Sequence, residues 1–250
     1  MSRTLGLPGS IRACLFDLDG VLTQTASLHA AAWKEMFDAF LRSRADAAGA
    51  AFEPFDAVRD YHEYIDGKLR YDGVRSFLAS RGIELPEGEP SDPPSAETVS
   101  GLGNRKNEIV LARMRSGGVE TYPSSVRYVQ AARTAGLHRV VVSASKNGRD
   151  ILRAASIEEL FEEVIDGVVA ARDGLSGKPA PDTFLAGARA VGVRPDEAAV
   201  FEDALAGVEA GRAGGLGFVV GVDRSDQAKA LLAHGADIVV SDLSELLDRR

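Results

Sequence analysis

The sequence predicts an α/β fold, in which a Rossmann-like parallel sheet forms the core and a helical cap domain is inserted into it. In the second half of the chain, short apolar segments alternate with segments of helical spacing. One further apolar segment, Ile11–Phe16, ends at a Gly-containing turn far ahead of the others. Strands that alternate with helices of about ten residues form βαβ units and a parallel sheet. The first strand therefore belongs to the same sheet, and a helical insertion follows it.

The insertion is predicted from three helical segments and one loop. Ser27–Arg44 has apolar residues at three- and four-residue spacing and contains no Pro or Gly, which predicts an amphipathic helix. Gly73–Arg81 and Ala96–Arg115 are also helical, and each ends at a glycine soon afterwards. Glu84–Pro94 is rich in proline and acidic residues, which predicts a solvated loop.

After Pro123 the strands and helices of the core alternate. Strands are predicted at 140–142, 164–165, 199–201, 217–220 and 238–240, and helices at 125–135, 148–155, 181–191, 205–213, 226–234 and 243–248. We therefore expect a core domain of residues 1–26 and 123–250 and a helical cap domain of residues 27–122.

Composition excludes several classes of function. The chain has 250 residues, 45% of them apolar and 26% charged, as in ordinary globular proteins. Its net charge of −8 disfavours a nucleic-acid partner. Cys14 is the single cysteine, which excludes an internal disulfide and a cysteine metal cluster.

The same composition predicts where the protein works. No apolar run reaches the roughly 18 residues of a membrane span. Met1–Ser10 lacks the apolar region of a signal peptide. We expect a cytoplasmic protein with no membrane partner, and, although no feature specifies an oligomeric state, we take a monomer as the expectation.

Polar side chains follow the predicted strands at the points where they end. These residues are Asp17, Asp19, Ser143, Glu202 and Asp203, and Lys178 lies in the loop before a predicted helix. In an open parallel sheet, ligands bind at the carboxyl ends of the strands. We therefore expect four carboxylates, a lysine and a serine to converge at one edge of the sheet.

Carboxylates crowded together repel one another unless a cation lies among them. Mg²⁺ takes oxygen ligands and keeps water or a substrate phosphate as further partners. We expect a Mg²⁺ site among Asp17, Asp19, Glu202 and Asp203. A phosphate that bridges Mg²⁺ and Lys178 would complete the charge balance.

The same residues predict a phosphotransfer reaction. Asp17 is the expected nucleophile and would form an aspartyl-phosphate, which is feasible when the metal and Lys178 offset the charge of the phosphate. Asp19 lies two residues further on, where it can act as general acid and then as general base. Ser143 can donate a hydrogen bond to a phosphate oxygen.

These motifs resemble those of the haloacid dehalogenase superfamily of phosphotransferases. Phe16–Val21 (FDLDGV) is similar to the first motif, and Ser143, Lys178 and Glu202-Asp203 match the second, third and fourth in the same order. The resemblance covers nearly the whole core. It implies the fold, the Mg²⁺ and the aspartyl-phosphate expected above.

Three stretches resemble the β-phosphoglucomutases within that superfamily, namely Thr23–Lys34, Ser143–Gly148 and Lys178–Asp182. This resemblance implies that Thr25 and His29 couple cap closure to the general acid and base. It further implies a phosphosugar substrate, glucose 1,6-bisphosphate as activator, and a second phosphate site. The residues implied for substrate binding are Gly67, Lys68, Arg70, Lys106, Ser145, Lys146 and Asn147.

One position departs from the family pattern and leaves the function open. The family's cap loop has a lysine just before its glycine, where this chain has Asp66, and Lys68 follows the glycine instead. A negative charge there opposes a phosphate unless it pairs with Lys68 or Arg70.

The main hypothesis rests on the motif set together with His29, Arg70 and Ser145–Asn147. It is a mutase that converts β-glucose 1-phosphate to glucose 6-phosphate. The alternatives are a sugar-phosphate or small-phosphoester phosphatase, and a domain that only binds a phosphorylated metabolite.

Overall fold

A six-stranded parallel sheet forms the centre of the fold in a computed structural model, which describes residues 5–248. The strands are β1 (Ala13–Phe16), β2 (His138–Val142), β3 (Glu163–Ile165), β4 (Ala198–Glu202), β5 (Phe218–Val222) and β6 (Ile238–Val240). Their order across the sheet is β3-β2-β1-β4-β5-β6. The predicted Rossmann-like parallel sheet is confirmed.

Strand β1 lies in the middle of the sheet because its residues are apolar on both faces. Each of its four residues is buried, and it pairs with β2 on one side and β4 on the other. Phe16 lies beside Val141 and Phe201 at the carboxyl end of these strands. The strand order therefore changes direction at β1, and the crevice outside such a switch point is where open α/β sheets bind ligands.

Helices accompany the sheet strands along the chain. They are α4 (Pro123–Thr134), α5 (Gly148–Ala154), α6 (Gly167–Asp173), α7 (Asp182–Ala190), α8 (Leu205–Ala213), α9 (Ala228–His234) and α10 (Ser244–Asp248). All except α6 were predicted. Helix α6 is short and begins with the Asp166 side chain accepting hydrogen bonds from the backbone N–H groups of Val168 and Val169.

The insertion contains three α-helices and a π-helical turn. They are α1 (Ala26–Ala48), the π-helical turn Tyr61–Ile65, α2 (Arg70–Ser80) and α3 (Val99–Gly117). The expected loop 84–94 is confirmed, but α3 begins three residues after the predicted Ala96. Thr98 caps α3, because its side chain accepts a hydrogen bond from the Gly101 N–H at 2.9 Å.

The chain divides into two compact units. The first contains the residues up to Gln24, the short segment Gly67–Leu69 and the residues from Val119 onward, and the second contains the remainder. The domain bounds given above differ from this division mainly at Gly67–Leu69, and they stay a prediction. Over residues 5–248, no helix is both long and apolar enough to cross a membrane.

Aromatic side chains form the core of the second unit. Phe37 lies at its centre, fully buried, with ring centroids 4.2 Å from Phe77, 5.3 Å from Phe55 and 5.3 Å from Trp33. Three separate parts of the insertion contribute these rings: α1, the segment before the π-helical turn, and α2. The rings therefore hold the insertion together as one body.

We predict that Phe37→Ala lowers the free energy of unfolding by about 3 to 5 kcal/mol, because it leaves a cavity among three rings. Urea unfolding followed by circular dichroism measures the loss. The control is Val58→Ala, since Val58 is 67% exposed and its truncation is expected to change stability by less than about 0.5 kcal/mol. Equal effects of the two substitutions would show that the aromatic core does not hold the unit together.

Candidate active site

The ammonium group of Lys178 lies at the centre of a buried polar cluster in the first unit. Its Nζ donates hydrogen bonds to Asp17 Oδ1 at 2.6 Å, to Glu202 Oε1 at 2.6 Å and to the Val142 carbonyl at 3.1 Å. The acceptors belong to the carboxyl ends of β1, β4 and β2. The convergence predicted from the sequence is therefore present for Asp17, Lys178 and Glu202.

Burial controls the charge of this cluster. Lys178 is 3% exposed and Glu202 is fully buried. The two carboxylates hold the pKa of Lys178 above its usual range against the cost of burial. Burial raises the pKa of Glu202 to about 7, with the charge of Asp17 acting in the same direction and Lys178 opposing it.

Three carboxylates of the cluster fit a hard divalent cation. Asp17, Glu202 and Asp203 each offer an oxygen within 4.8 Å of the others, and all three residues are buried. Mg²⁺ and other hard cations prefer such oxygen ligands. Both oxygens of Glu202 already accept hydrogen bonds, Oε1 from Lys178 and Oε2 from the Ala204 N–H at 2.9 Å. Glu202 therefore holds Lys178 and the backbone of Ala204 in place beside the carboxylates of Asp17 and Asp203.

Asp19 lies in a tight turn that follows β1. The Gly20 N–H donates to the Thr23 carbonyl at 2.8 Å, and both the N–H and the hydroxyl of Thr23 donate to the Leu18 carbonyl. Gly20 has a φ of +91°, which a side chain disfavours. These bonds close the turn on itself and fix the backbone on both sides of Asp19.

Two glycines allow the acidic residues to approach the backbone closely. A Cβ on Gly20 would lie 1.8 Å from Asp203 Oδ2, and one on Gly207 would lie 1.8 Å from Glu202 Oε1. Any side chain at either position would displace a carboxylate. The two glycines therefore allow the turn after β1 to lie against the Asp203 carboxylate and the first turn of α8 to lie against the Glu202 carboxylate.

The loop after β2 contains the other predicted phosphate-binding residues of the first unit. Ser143 is buried, and its hydroxyl accepts a hydrogen bond from the Ser145 N–H at 3.1 Å. The Ser145 hydroxyl in turn accepts one from the Asn147 N–H at 3.1 Å. Lys146 lies between them, with its Cγ 3.0 Å from where a Cβ on Gly167 would be. These hydroxyl–amide bonds give the loop a defined shape beside the carboxyl end of β2.

Gly67 and Lys68, predicted for the cap, lie in a segment grouped with the first unit. A Cβ on Gly67 would lie 3.1 Å from the Cβ of Ala204, next to Asp203 in the chain. A Cβ on Gly177, next to Lys178, would lie 2.5 Å from Leu69 Cγ. The segment thus packs on loops that adjoin two of the site residues.

A second polar cluster lies within the second unit. The Lys106 Nζ of α3 lies 2.7 Å from the His29 Nδ1 of α1 and 4.9 Å from the centre of the Trp33 ring. The guanidinium of Arg70 donates to Asn107 Oδ1 at 2.8 Å. His29 also follows the predicted Thr25 by one helical turn, since its N–H donates to the Thr25 carbonyl at 2.9 Å. The structure therefore brings the predicted His29 and Lys106 together.

His29 is held in the neutral form. Burial lowers its pKa well below the ordinary value, and the charges of Lys106 and Arg70 lower it further. The Lys106 ammonium has only protons to offer, so His29 Nδ1 is the acceptor of their hydrogen bond. The proton of the neutral ring is therefore on Nε2.

Asp66 pairs with a residue that the sequence analysis did not single out. His62 Nδ1 lies 3.2 Å from Asp66 Oδ2, across one turn of the π-helical segment. This hydrogen bond raises the pKa of His62. From the sequence, Asp66 would oppose a phosphate unless it paired with Lys68 or Arg70, and in the structure it is hydrogen-bonded to His62. The spacing of four residues between His62 and Asp66 was the available signal, because such residues face each other on a helix.

Known proteins resemble the whole chain. The profile of the haloacid dehalogenase-like hydrolases matches residues 11–215. The β-phosphoglucomutase of Mycobacterium tuberculosis (strain CDC 1551 / Oshkosh) is 56% identical over 98% of this chain and 95% of its own length. That of Bacillus subtilis is 31% identical over 94% and 92%. The crystal structure of the β-phosphoglucomutase of Clostridium difficile matches 94% of this chain and 93% of its own, with a TM-score of 0.72 and 25% identity.

We predict that two of the four histidines titrate in opposite directions from the ordinary value. The pKa of His29 is expected to lie well below the ordinary value, because burial and two cations oppose its charge, whereas the hydrogen bond with Asp66 is expected to raise the pKa of His62 above it. NMR titration of the imidazole C–H signals measures both. Lys106→Met is expected to raise the pKa of His29 and to leave that of His62 unchanged. A His29 pKa at or above that of His62 would contradict the described environment.

Proposed function

From the premise that the chain belongs to the haloacid dehalogenase-like hydrolase family, we propose that it is a Mg²⁺-dependent β-phosphoglucomutase that converts β-glucose 1-phosphate to glucose 6-phosphate. The observation that carries the proposal is the Lys178 ammonium, held 2.6 Å from both Asp17 and Glu202 at the edge where Asp203 lies. The relatives named β-phosphoglucomutase support the choice of substrate.

Asp17 is the nucleophile of the proposed reaction. Its carboxylate attacks the phosphorus of a sugar phosphate, the P–O bond to the sugar breaks, and an aspartyl-phosphate forms. Lys178 offsets the repulsion between the two anions, and Ser143 donates to a phosphate oxygen. A Mg²⁺ held by Asp17, the Asp19 carbonyl and Asp203 would supply further positive charge to the transferring phosphoryl group.

Asp19 supplies and removes the proton in each transfer. It protonates the sugar oxygen as the P–O bond breaks and takes a proton from the accepting hydroxyl in the reverse direction. A mutase transfers the phosphoryl group to the second hydroxyl, forms glucose 1,6-bisphosphate, and recovers a phosphoryl group from the other end. The turn that contains Asp19 therefore serves both half-reactions.

A second phosphate site completes the proposal. In the first unit, Lys68, Ser145, Lys146 and Asn147 offer cationic and polar groups on segments next to the acids. In the second unit, we assign Thr25, His29, Arg70 and Lys106 to the same reaction, with Arg70 and Lys106 supplying positive charge. The Asp66 carboxylate is engaged by His62, so it does not oppose a phosphate as an isolated charge.

The phosphatase alternative uses the same nucleophile and differs in the acceptor. Water, in place of a sugar hydroxyl, attacks the aspartyl-phosphate, and inorganic phosphate is released. Family membership fits both activities. Excluding water from the phosphoenzyme is what distinguishes a mutase from a phosphatase.

We predict that the enzyme, given β-glucose 1-phosphate, Mg²⁺ and a trace of glucose 1,6-bisphosphate, forms glucose 6-phosphate without releasing phosphate. A dehydrogenase-coupled assay and a phosphate assay on the same sample measure both products. Phosphate release without glucose 6-phosphate would assign the phosphatase activity instead. Turnover of neither kind would favour a domain that only binds a phosphorylated metabolite.

We further predict that Asp17→Asn lowers either activity by at least about 10³-fold, because the amide is a far weaker nucleophile. Removing divalent cations with EDTA is expected to abolish turnover, and adding Mg²⁺ to restore it. Glu209→Gln is the matched control, since Glu209 is a partly exposed acid on α8 with its Oε1 3.5 Å from His234 Nε2. Retained turnover in Asp17→Asn would exclude the aspartyl-phosphate mechanism.

A further inference from the structure

We propose that Arg224 is a positioning residue for the general acid, acting through the backbone of the turn that contains Asp19. Arg224 follows β5, outside the four motifs that identify the site. This inference rests on the proposed phosphotransfer function and adds to it a residue on a fifth segment of the chain. Every contact on which it depends lies within the first unit.

Three contacts of the Arg224 guanidinium define its position. Its Nε donates to the Gly20 carbonyl at 2.8 Å, and its Nη1 donates to the Ser241 carbonyl at 2.9 Å. Its Cζ lies 3.7 Å from the centre of the Tyr122 ring. The two hydrogen bonds use separate nitrogens of one planar group while its face covers the ring, an arrangement that a lysine ammonium cannot reproduce.

The hydrogen bond from Arg224 to the Gly20 carbonyl acts on Asp19 through the backbone that the two residues share. Gly20 follows Asp19 directly, and its backbone has a positive φ that is costly for other residues and leaves no Cβ to restrict it. The hydrogen bonds inside the turn hold the Gly20 N–H and the Thr23 N–H. The bond from Arg224 holds the Gly20 carbonyl as well, and with it the orientation of the backbone next to the acid.

The ring of Tyr122 links Arg224 to two chain segments of the first unit, the one that runs from Asp19 to Gln24 and the one that begins at Val119. The Tyr122 N–H donates to the Leu22 carbonyl at 2.9 Å, and Thr23 forms an antiparallel bridge with Thr121. The outgoing chain, which contains Asp19, is therefore paired with the returning chain. By packing on Tyr122, Arg224 holds the turn that contains Asp19 against the returning chain.

The same loop after β5 also holds the backbone of the second acidic motif. The Gln227 side chain donates to the Asp203 carbonyl at 3.0 Å. Asp223 organises the loop itself, since its Oδ1 accepts from the N–H groups of Ser225 and Gln227. One loop thus contacts the carbonyl of Gly20 and that of Asp203. These two residues also lie close together, since a Cβ on Gly20 would be 1.8 Å from Asp203 Oδ2.

The consequence for the reaction is specific to proton transfer. A misplaced Asp19 slows cleavage of a P–O bond when the leaving oxygen needs a proton, as the sugar oxygen of glucose 1,6-bisphosphate does. It leaves unaffected a donor such as acetyl phosphate, whose acetate leaves as an anion. A role confined to folding would slow both donors alike.

The experiment compares these two phosphoryl donors in Arg224→Lys, which keeps the positive charge and removes the forked geometry. Rapid-quench single-turnover measurements follow the formation of the acid-stable phosphoenzyme on Asp17. We expect the rate from glucose 1,6-bisphosphate to fall about 10- to 100-fold, part of the usual contribution of a general acid. The rate from acetyl phosphate is expected to change less than about threefold, because its leaving group needs no such acid.

Arg212→Lys is the matched control. Arg212 also donates to a glycine carbonyl, that of Gly235, through Nε at 3.1 Å and Nη2 at 2.7 Å, and it ends α8 with 53% of its side chain exposed. Tyr122→Leu is a second variant that removes the ring and keeps both hydrogen bonds of Arg224. It is expected to lower the rate from glucose 1,6-bisphosphate by a smaller factor than Arg224→Lys does. The rate from acetyl phosphate is again expected to change little.

Three results would overturn the inference. In Arg224→Lys, the rates from the two donors fall equally, or neither rate falls. In the control Arg212→Lys, the rate from glucose 1,6-bisphosphate falls selectively in the same way. Should Arg224→Lys fail to fold, as judged by circular dichroism, the test is made with Tyr122→Leu. The deciding quantity is the same ratio, that of the rate from glucose 1,6-bisphosphate to the rate from acetyl phosphate. The comparison is independent of the mutase assignment, since a phosphatase also protonates the leaving sugar. Absence of glucose 6-phosphate with the wild-type enzyme would refute the mutase while leaving the ratio measurable.

Discussion

The buried ammonium of Lys178 is the interaction on which the rest of the site depends. Taking carboxylates out of water is costly, and the cost is offset only when each charge is paired at short range and hydrogen-bonded. Lys178 meets this requirement for Asp17 and Glu202 at once, and its third proton goes to the Val142 carbonyl. The positions of β1, β2 and β4 side by side in the sheet are therefore needed for the charges to be tolerated, as well as for the chemistry.

Pairing at this range requires backbone segments that come unusually close to the acids. Gly20 and Gly207 make that possible, because a single methyl group at either would overlap the carboxylate of Asp203 or Glu202. The glycine of the first motif thus has two roles. It adopts the positive φ that turns the chain after Asp19. Because it has no side chain, the Asp203 carboxylate can occupy the position that a Cβ would otherwise fill.

The sequence was enough to predict the parallel sheet, the inserted helices and the residues around Lys178, since each followed from apolar periodicity or from what stands at the end of a strand. The short helix α6 was missed because its seven residues are too few for periodicity to distinguish them from a loop. The hydrogen bond between His62 and Asp66 was not predicted, since only the cations that follow Asp66 were considered and the geometry of the π-helical turn before it was not. Arg224 and Gln227 were missed although they follow β5, because only the residues at the ends of β1, β2 and β4 and the loop that contains Lys178 were considered. Their partners are backbone carbonyls, which no side-chain pattern reveals.

The charge of the first-unit cluster leads by itself to a requirement for a cation. Asp17, Glu202 and Asp203 bring three carboxyl groups within 4.8 Å of one another, and the ammonium of Lys178 is paired with two of them. Even with Glu202 partly protonated near neutral pH, as its raised pKa allows, the negative charges outnumber the positive ones. A substrate phosphate adds further negative charge at the same edge of the sheet. A multivalent cation would offset this charge, and the carboxylates of Asp17 and Asp203 are the oxygen ligands such an ion prefers. The electrostatics of this chain's own residues therefore support the metal dependence proposed for the reaction.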